Sequence, residues 1–242
     1  MNILRMKKIF PVIVFILTLS CSSDTGVAAQ NNPGSLNDLK YYVSDEHGNI
    51  KAISFRDSVL ATGDTAVLYS EIGDTIDLEM EVVFLKSNWQ AIYCSREDAL
   101  YEGSGELEWF GNRIIGYSES PESEFHDIDR IIDDFSVSGW FLPVAFMGIP
   151  FENEDWQSNF DLVTPDLNVY GFKAEYIDTE TVETPEGFIS CHKLFVDGRG
   201  IYSFGPDIYI HYRIEEPHIP IRCNVADRGF VFNYYSDSLK AE

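Results

Sequence analysis

From Ile76 to Leu85 the chain alternates: Ile76, Leu78, Met80, Val82 and Phe84 are apolar, and Asp77, Glu79 and Glu81 stand between the first four. A period of two over this length is the pattern of a strand with one buried and one wet face, and it fits no helix. The alternation returns at Leu107 and Trp109 against Glu106 and Glu108, at Tyr170, Phe172, Ala174 and Tyr176, at Ile208, Ile210, Tyr212 and Ile214, and at Phe230, Phe232 and Tyr234. Turn-forming runs separate the strands: His47-Gly48-Asn49, Gly111-Asn112, Thr184-Pro185-Glu186-Gly187 and Asp197-Gly198-Arg199-Gly200. Strands joined by short turns pair antiparallel. The expected fold is therefore mainly β, a curved antiparallel sheet or open half-barrel with one or two short helices packed against it.

One helix is expected after Ser120-Pro121-Glu122, an N-cap followed by proline, because Phe125, Ile128, Ile131, Ile132 and Phe135 then fall on one helical stripe. The next stretch, Val137 to Ile149, is thirteen residues without a charge. It reads as a second helix, an edge strand or a loop lining a cavity, and Pro143 argues against a central strand.

The amino terminus carries its own pattern. Arg5, Lys7 and Lys8 precede an uncharged apolar run from Ile9 to Leu19, the order of a secretory signal. Its eleven residues fall short of the roughly 20 that cross a bilayer. The run ends Leu17-Thr18-Leu19-Ser20-Cys21, which resembles a bacterial lipobox, although leucine is usual where Thr18 stands. The resemblance implies that residues 1–20 are a lipoprotein signal peptide and that Cys21 is lipidated. The alternative is ordinary cleavage near Ala28-Ala29-Gln30. Residues 21–38, rich in small and polar side chains, read as a flexible tether, and 39–242 as a single antiparallel β domain with no internal repeat. A body of that size buries roughly 70% of its unfolded surface, enough for one core.

Charge then sorts the partners. Lys and Arg number 17 against 40 Asp and Glu, so nucleic acid is repelled and excluded. Cleavage before Cys21 removes three basic residues and no acidic one, taking the net charge from −23 to −26. An anionic membrane surface also repels that body, and the attachment must come from acyl chains at about 0.8 kcal/mol per buried methylene. The expected address is the cell envelope, lipid-anchored at the outer membrane with the leaflet open. Ser22-Ser23-Asp24 resembles the short tags that send some lipoproteins to the cell surface.

Beyond Cys21, Cys94, Cys191 and Cys223 are expected as free, buried, small hydrophobes. A Cys191–Cys223 bridge is the alternative; it would close a loop of about 33 residues, contributing roughly 3–4 kcal/mol.

At Glu183-Thr184-Pro185-Glu186-Gly187-Phe188-Ile189-Ser190-Cys191-His192-Lys193-Leu194 the chain resembles the domain-of-unknown-function family numbered 3108, with Ile189 where that family usually has phenylalanine. The likeness runs from Tyr170 to Tyr235 and takes in the strand Ile208–Ile214, Pro217-His218-Ile219-Pro220-Ile221-Arg222 and the closing strand Gly229–Tyr235. It implies an envelope protein on a long curved antiparallel sheet, similar in outline to envelope lipoprotein carriers, and no particular activity. The residues themselves place Phe188, His192 and Leu194 on one strand face and Ile189, Cys191 and Phe195 on the other, with both faces covered.

No nucleophile elbow, phosphate loop, dinucleotide fingerprint or His-Glu-x-x-His occurs, and no cofactor is expected. His192 reads as a core histidine, and His211, beside Tyr209 and Arg213, as part of a solvated face. His211, Glu215, Glu216 and His218 are of metal-binding types, but their spacing fits neither a helix nor one strand face. The carboxylates at 127, 129, 133, 134, 152, 154 and 155 lack the calcium-loop pattern.

The 34 aromatic residues either fill the core or line an apolar cavity of the curved sheet, with Trp109, Trp140, Phe141, Phe146, Tyr170, Phe172, Phe188 and Tyr212 as the lining. Three classes of function follow: a binding or assembly module for an apolar or lipid ligand, a structural lipoprotein with a filled core that meets an envelope protein partner, and a metal-assisted hydrolase using His211, Glu215 and His218.

Overall fold

A computed structural model describes residues 36, 40–44, 50–73, 78–98, 103–120, 123–132, 135–184, 187–200, 205–226 and 230–236. The expected signal peptide at residues 1–20, Cys21 and most of the expected tether lie outside these residues, as does the expected turn at His47-Gly48-Asn49.

The chain makes two antiparallel meanders. The first comprises β1 (Lys40–Ser44), β2 (Ile50–Val59), β3 (Thr65–Gly73), β4 (Leu78–Leu85), β5 (Ala91–Asp98), β6 (Gly103–Phe110), β7 (Arg113–Ser120) and β8 (Ser123–Ile131). The second comprises β10 (Gln157–Val163), β11 (Val169–Thr184), β12 (Gly187–Gly198), β13 (Ile208–Arg213), β14 (Pro220–Val225) and β15 (Phe230–Ser236). β15 pairs with β1, Tyr41 opposite Ser236, and so joins the meanders into one sheet of 15 strands. Its two ends are β8 and the short β9 (Ser136–Ser138), which pairs parallel with β10. The sheet is strongly curled into a half-barrel.

The inward face follows from the alternation. In β4, Leu78, Met80, Val82 and Phe84 are buried and Glu79 and Glu81 exposed; in β6, Leu107 and Trp109 are buried and Glu106 and Glu108 exposed. Gly111 and Asn112 close the β6–β7 hairpin, and Gly111 adopts φ 64°, which the twist of a two-residue turn demands. Gly116 is required for a different reason: a Cβ there would stand 2.1 Å from the Glu106 carbonyl, with Leu107 folded across the strand.

The helix expected from Ser120 is instead β8, paired with β7 from Arg113↔Ile131 to Ser120↔Ser123. The stripe that mimics a helix is split between two faces. Ile128 points inward and is buried, whereas Phe125 and Ile131 are 60% and 67% exposed. Isoleucine and phenylalanine favour a pleated surface, and pairing along β7 outweighs the helical spacing.

The uncharged stretch combines two of its three readings. It starts as edge strand β9, tightens into a 3-10 turn (Gly139–Phe141) and becomes the single helix α1 (Leu142–Ala145) among the described residues. Because β8 and β10 lie far apart in the sheet order, the chain between them must cross the half-barrel, and residues 141–149 run through its interior. Val137, Phe141, Val144, Ala145, Phe146, Met147 and Ile149 are all buried in one cluster with the inward side chains of the sheet. A segment apolar on every side is stable only where every side is covered.

Cys94, Cys191 and Cys223 are free and buried. Burial pushes the Cys191 thiol up to about 11 and the Cys223 thiol to about 12, far from thiolate reactivity. Cys223 belongs to the main core and Cys191 to a small separate cluster with Val182 and Ile221.

Candidate functional site: the filled interior

The interior segment is held by polar contacts as well as packing. A helix as short as α1 leaves its carbonyls without intrahelical partners, and the sheet supplies them. Trp89 Nε1 donates to the Val144 carbonyl at 2.8 Å, and the Tyr212 hydroxyl donates to the Pro143 carbonyl at 2.6 Å. Trp109 Nε1 donates to Ser136 Oγ at 2.8 Å, fixing the segment where it enters β9. Each aromatic buries its body against the core and aims its one polar atom at the segment.

Rings complete the packing. Phe84 stacks on Trp89 at 4.8 Å between centroids and meets Phe141 edge-on at 5.6 Å; Phe146 packs edge-on against Phe160 at 5.1 Å. Trp140 lies over β6, where a Cβ on Gly105 would be 2.5 Å from its ring. At the far end Phe151 is a buried knob in a box of rings. His192 stacks on it at 4.7 Å, Tyr212 is tilted at 5.1 Å and His218 stands edge-on at 5.0 Å.

Of the eight aromatics expected to line a cavity, Trp109, Phe141, Phe146, Phe172 and Tyr212 meet in this core, and Trp140 and Tyr170 pack partly buried against it. Phe188 does not join them. It is 75% exposed at the start of β12, so the expected cover on both faces of that strand begins only at Cys191. Phe188 borders an open depression of about 420 Å³ with Ile189, Ser190, Arg213 and Glu215.

Trp89, Ser136 and Phe151 carry no local signal of a place in the core, and Pro143 none of its carbonyl's role. Trp89 follows the apparent turn Lys86-Ser87-Asn88, where a core residue is not looked for. It takes φ 55°, a left-handed conformation that costs a non-glycine residue about 1–2 kcal/mol and that its stack and hydrogen bond offset.

His211 is buried rather than solvated. Its Nε2 lies 2.7 Å from Glu180 Oε1, and Lys193 Nζ bonds the other oxygen of that carboxylate at 2.7 Å. The Lys193 bond and the His211 interaction outweigh partial desolvation and hold the Glu180 carboxyl below its usual range. His218 faces the core, with Nδ1 3.0 Å from the Arg213 carbonyl and its ring against Phe151, so it does not join His211. Among the described residues no three His, Cys, Asp or Glu side chains are grouped to hold a metal ion.

Two expectations arise directly. Tyr212→Phe removes only the hydroxyl bonded to the Pro143 carbonyl and should cost about 1–3 kcal/mol in urea denaturation, through the unsatisfied buried acceptor. The second concerns pH. Partial burial, then the neighbouring His218, lower the His192 pKa, with Glu152 opposing; burial lowers that of His211, with Glu180 opposing. Histidines with depressed values bind protons more readily in the unfolded chain. Their stabilisation is therefore complete above the ordinary histidine range and declines as pH falls through it. The urea midpoint should drop between pH 7.5 and 5.5, and His192→Phe, which keeps the ring on Phe151, should flatten that dependence.

No protein-family model, curated protein or solved structure matches the chain.

Proposed function

We propose that the chain is a lipid-anchored protein of the cell envelope whose filled β half-barrel serves as an assembly module, presenting its outer surface to an envelope protein partner. The observation that carries the module reading is the interior. The space a carrier would reserve for an apolar ligand is occupied by residues 137–151, bonded in place through Trp89, Trp109 and Tyr212. The anchor rests on the run Leu17-Thr18-Leu19-Ser20-Cys21 and on the small, polar residues that follow.

A carrier of apolar or lipid ligands is the second reading, and it requires the interior segment to withdraw. A metal-assisted hydrolase is disfavoured by the separation of His211 from His218. Nucleic acid is no partner of so acidic a body, and the contact with the membrane is through acyl chains at Cys21, with the outer membrane as its site.

Intact-mass measurement of the native polypeptide tests the anchor: an acylated Cys21 at the amino terminus is expected, and an unmodified residue beyond position 21 contradicts it. Titration of the purified protein with an environment-sensitive apolar dye tests the module. Absence of saturable uptake is expected, whereas stoichiometric uptake with copurifying lipid would establish the carrier.

A further inference from the structure

Charge is unevenly distributed over the outside of the sheet. On the β10–β14 side three carboxylates have cationic partners: Glu175 with Lys173, Glu180 with Lys193 and His211, Asp161 with Arg199. On the outward face of β4–β8 the salt bridges among the described residues include one, Arg113 on Asp129. Register brings the remaining acids together. Glu79 lies directly opposite Glu97, and Glu81, Ser95, Glu106, Tyr117 and Asp127 form one row across five strands. Like charges facing each other across strands are destabilising. The Tyr117 hydroxyl registers this field: partial burial, then Glu106, Glu97 and Glu119, hold it above its usual range.

Large apolar side chains share the face. Phe125 stacks on Tyr117 at 5.7 Å and is 60% exposed, and Phe110 and Ile131 flank Arg113 at 45% and 67% exposure. Five strands about 4.8 Å apart and some eight residues long present roughly 500–600 Å², most of the ~800 Å² that one partner contributes to a standard interface. The charge also restricts what can cover this face. A second copy would set acid against acid, an anionic lipid surface is repelled, and a purely apolar surface would strip carboxylates of water with nothing in return.

We propose that the outward face of β4–β8 is the docking surface for a protein partner whose contact region is basic with apolar side chains interspersed, its cations meeting the Glu106–Asp127 row and its apolar groups packing on Phe110, Phe125 and Ile131. This rests on the assembly-module reading and is independent of the anchor at Cys21.

The test uses the full chain in detergent and a fluorescent octapeptide of alternating lysine and valine as probe, followed by anisotropy. The triple variant Glu106→Gln, Glu108→Gln, Asp127→Asn should weaken binding about tenfold. A control that removes the same charge elsewhere, Glu154→Gln, Asp155→Asn, Asp178→Asn, should change it less than twofold. Phe125→Ser, which leaves the charge intact, should weaken binding several-fold. Equal losses in the two triple variants would reduce the effect to net charge and overturn the proposal, as would an unchanged affinity for Phe125→Ser or association into dimers through this face. Circular dichroism of each variant confirms folding; should Phe125→Ser fail to fold, Phe125→Leu with a smaller expected loss replaces it. Saturable dye uptake in the earlier titration would defeat the module reading without altering these affinities.

Discussion

Replacing Trp89 with alanine is expected to lower the unfolding free energy by about 3–5 kcal/mol, the range for deleting a large buried aromatic. Three losses coincide. The ring that stacks on Phe84 disappears, the Val144 carbonyl loses its indole donor and keeps only backbone amides that follow it in the chain, Met147 at 3.2 Å among them, and the turn loses what holds its left-handed residue. Trp89→Phe separates them. It retains a stack and removes the donor, so it should recover more than half of the loss, leaving about 1 kcal/mol for the lost hydrogen bond. Trp89→Gly relieves the backbone and keeps neither contact; if it proves as stable as Trp89→Phe, backbone strain rather than anchoring of the interior segment governs this site. Urea denaturation followed by circular dichroism decides among these outcomes.

The second large effect is at the other end of the segment. Phe151→Ala should also cost about 3–5 kcal/mol, and it empties the box formed by His192, Tyr212 and His218. The accompanying signature is a change in titration. With Phe151 gone, water reaches the two imidazoles, whose rings lie 5.4 Å apart, and the desolvation that lowers His192 is relieved. Its pKa, followed by NMR, should rise toward the ordinary histidine value, and the loss of stability on acidification should shrink with it. An unchanged His192 titration in a folded Phe151→Ala protein would remove the box from the account. Because Trp89 and Phe151 hold the same segment, the double variant should be less destabilised than the sum of the single ones; strict additivity would mean that the two ends are independent.

What could be read beforehand depended on how local the physics was. The strands β4 and β6, each with one wet face, and the inward positions of β11 and β13 are written into their alternation, and the Gly111-Asn112 turn into two residues. β8 was misread because Phe125, Ile128, Ile131 and Ile132 satisfy a helical stripe as well as a strand, and the pairing with β7 that decides between them is not local to the sequence of either. Val137 to Ile149 resisted assignment for the opposite reason. With no charged residue and a single polar one, Ser138, there is no periodicity, and only the surrounding sheet determines that the segment is an edge strand followed by an interior turn and helix. The pairing of β1 with β15 unites residues from opposite ends of the chain, and nothing in either strand announces its partner.

The candidate site was legible in kind more than in arrangement. Trp109, Phe172 and Tyr212 converge, since inward positions on a curled sheet must, and Phe141 and Phe146 meet them from the interior segment. What fills the space between them is decided by carbonyls of a short helix that need donors, and by the chance that Trp89 Nε1 and Tyr212 OH are placed to supply them. Phe188 looked equivalent by pattern, yet β12 there extends beyond the packed part of the half-barrel. The polar neighbours of His211 on its strand imply a surface residue; Glu180, which covers it, comes from β11, 31 positions earlier.

The most direct test of the central claim, that residues 137–151 are a permanent part of the core, is hydrogen exchange of the full-length protein resolved by mass spectrometry. The amides of 141–151 that are bonded within the chain, among them Met147, Ile149 and Phe151, should be protected to nearly the same degree as those of β10 and β12, and should lose protection only with global unfolding. Exchange of this segment within seconds while β10 and β12 remain protected would mean that it leaves the half-barrel on its own, and would contradict a filled module in favour of a cavity that opens.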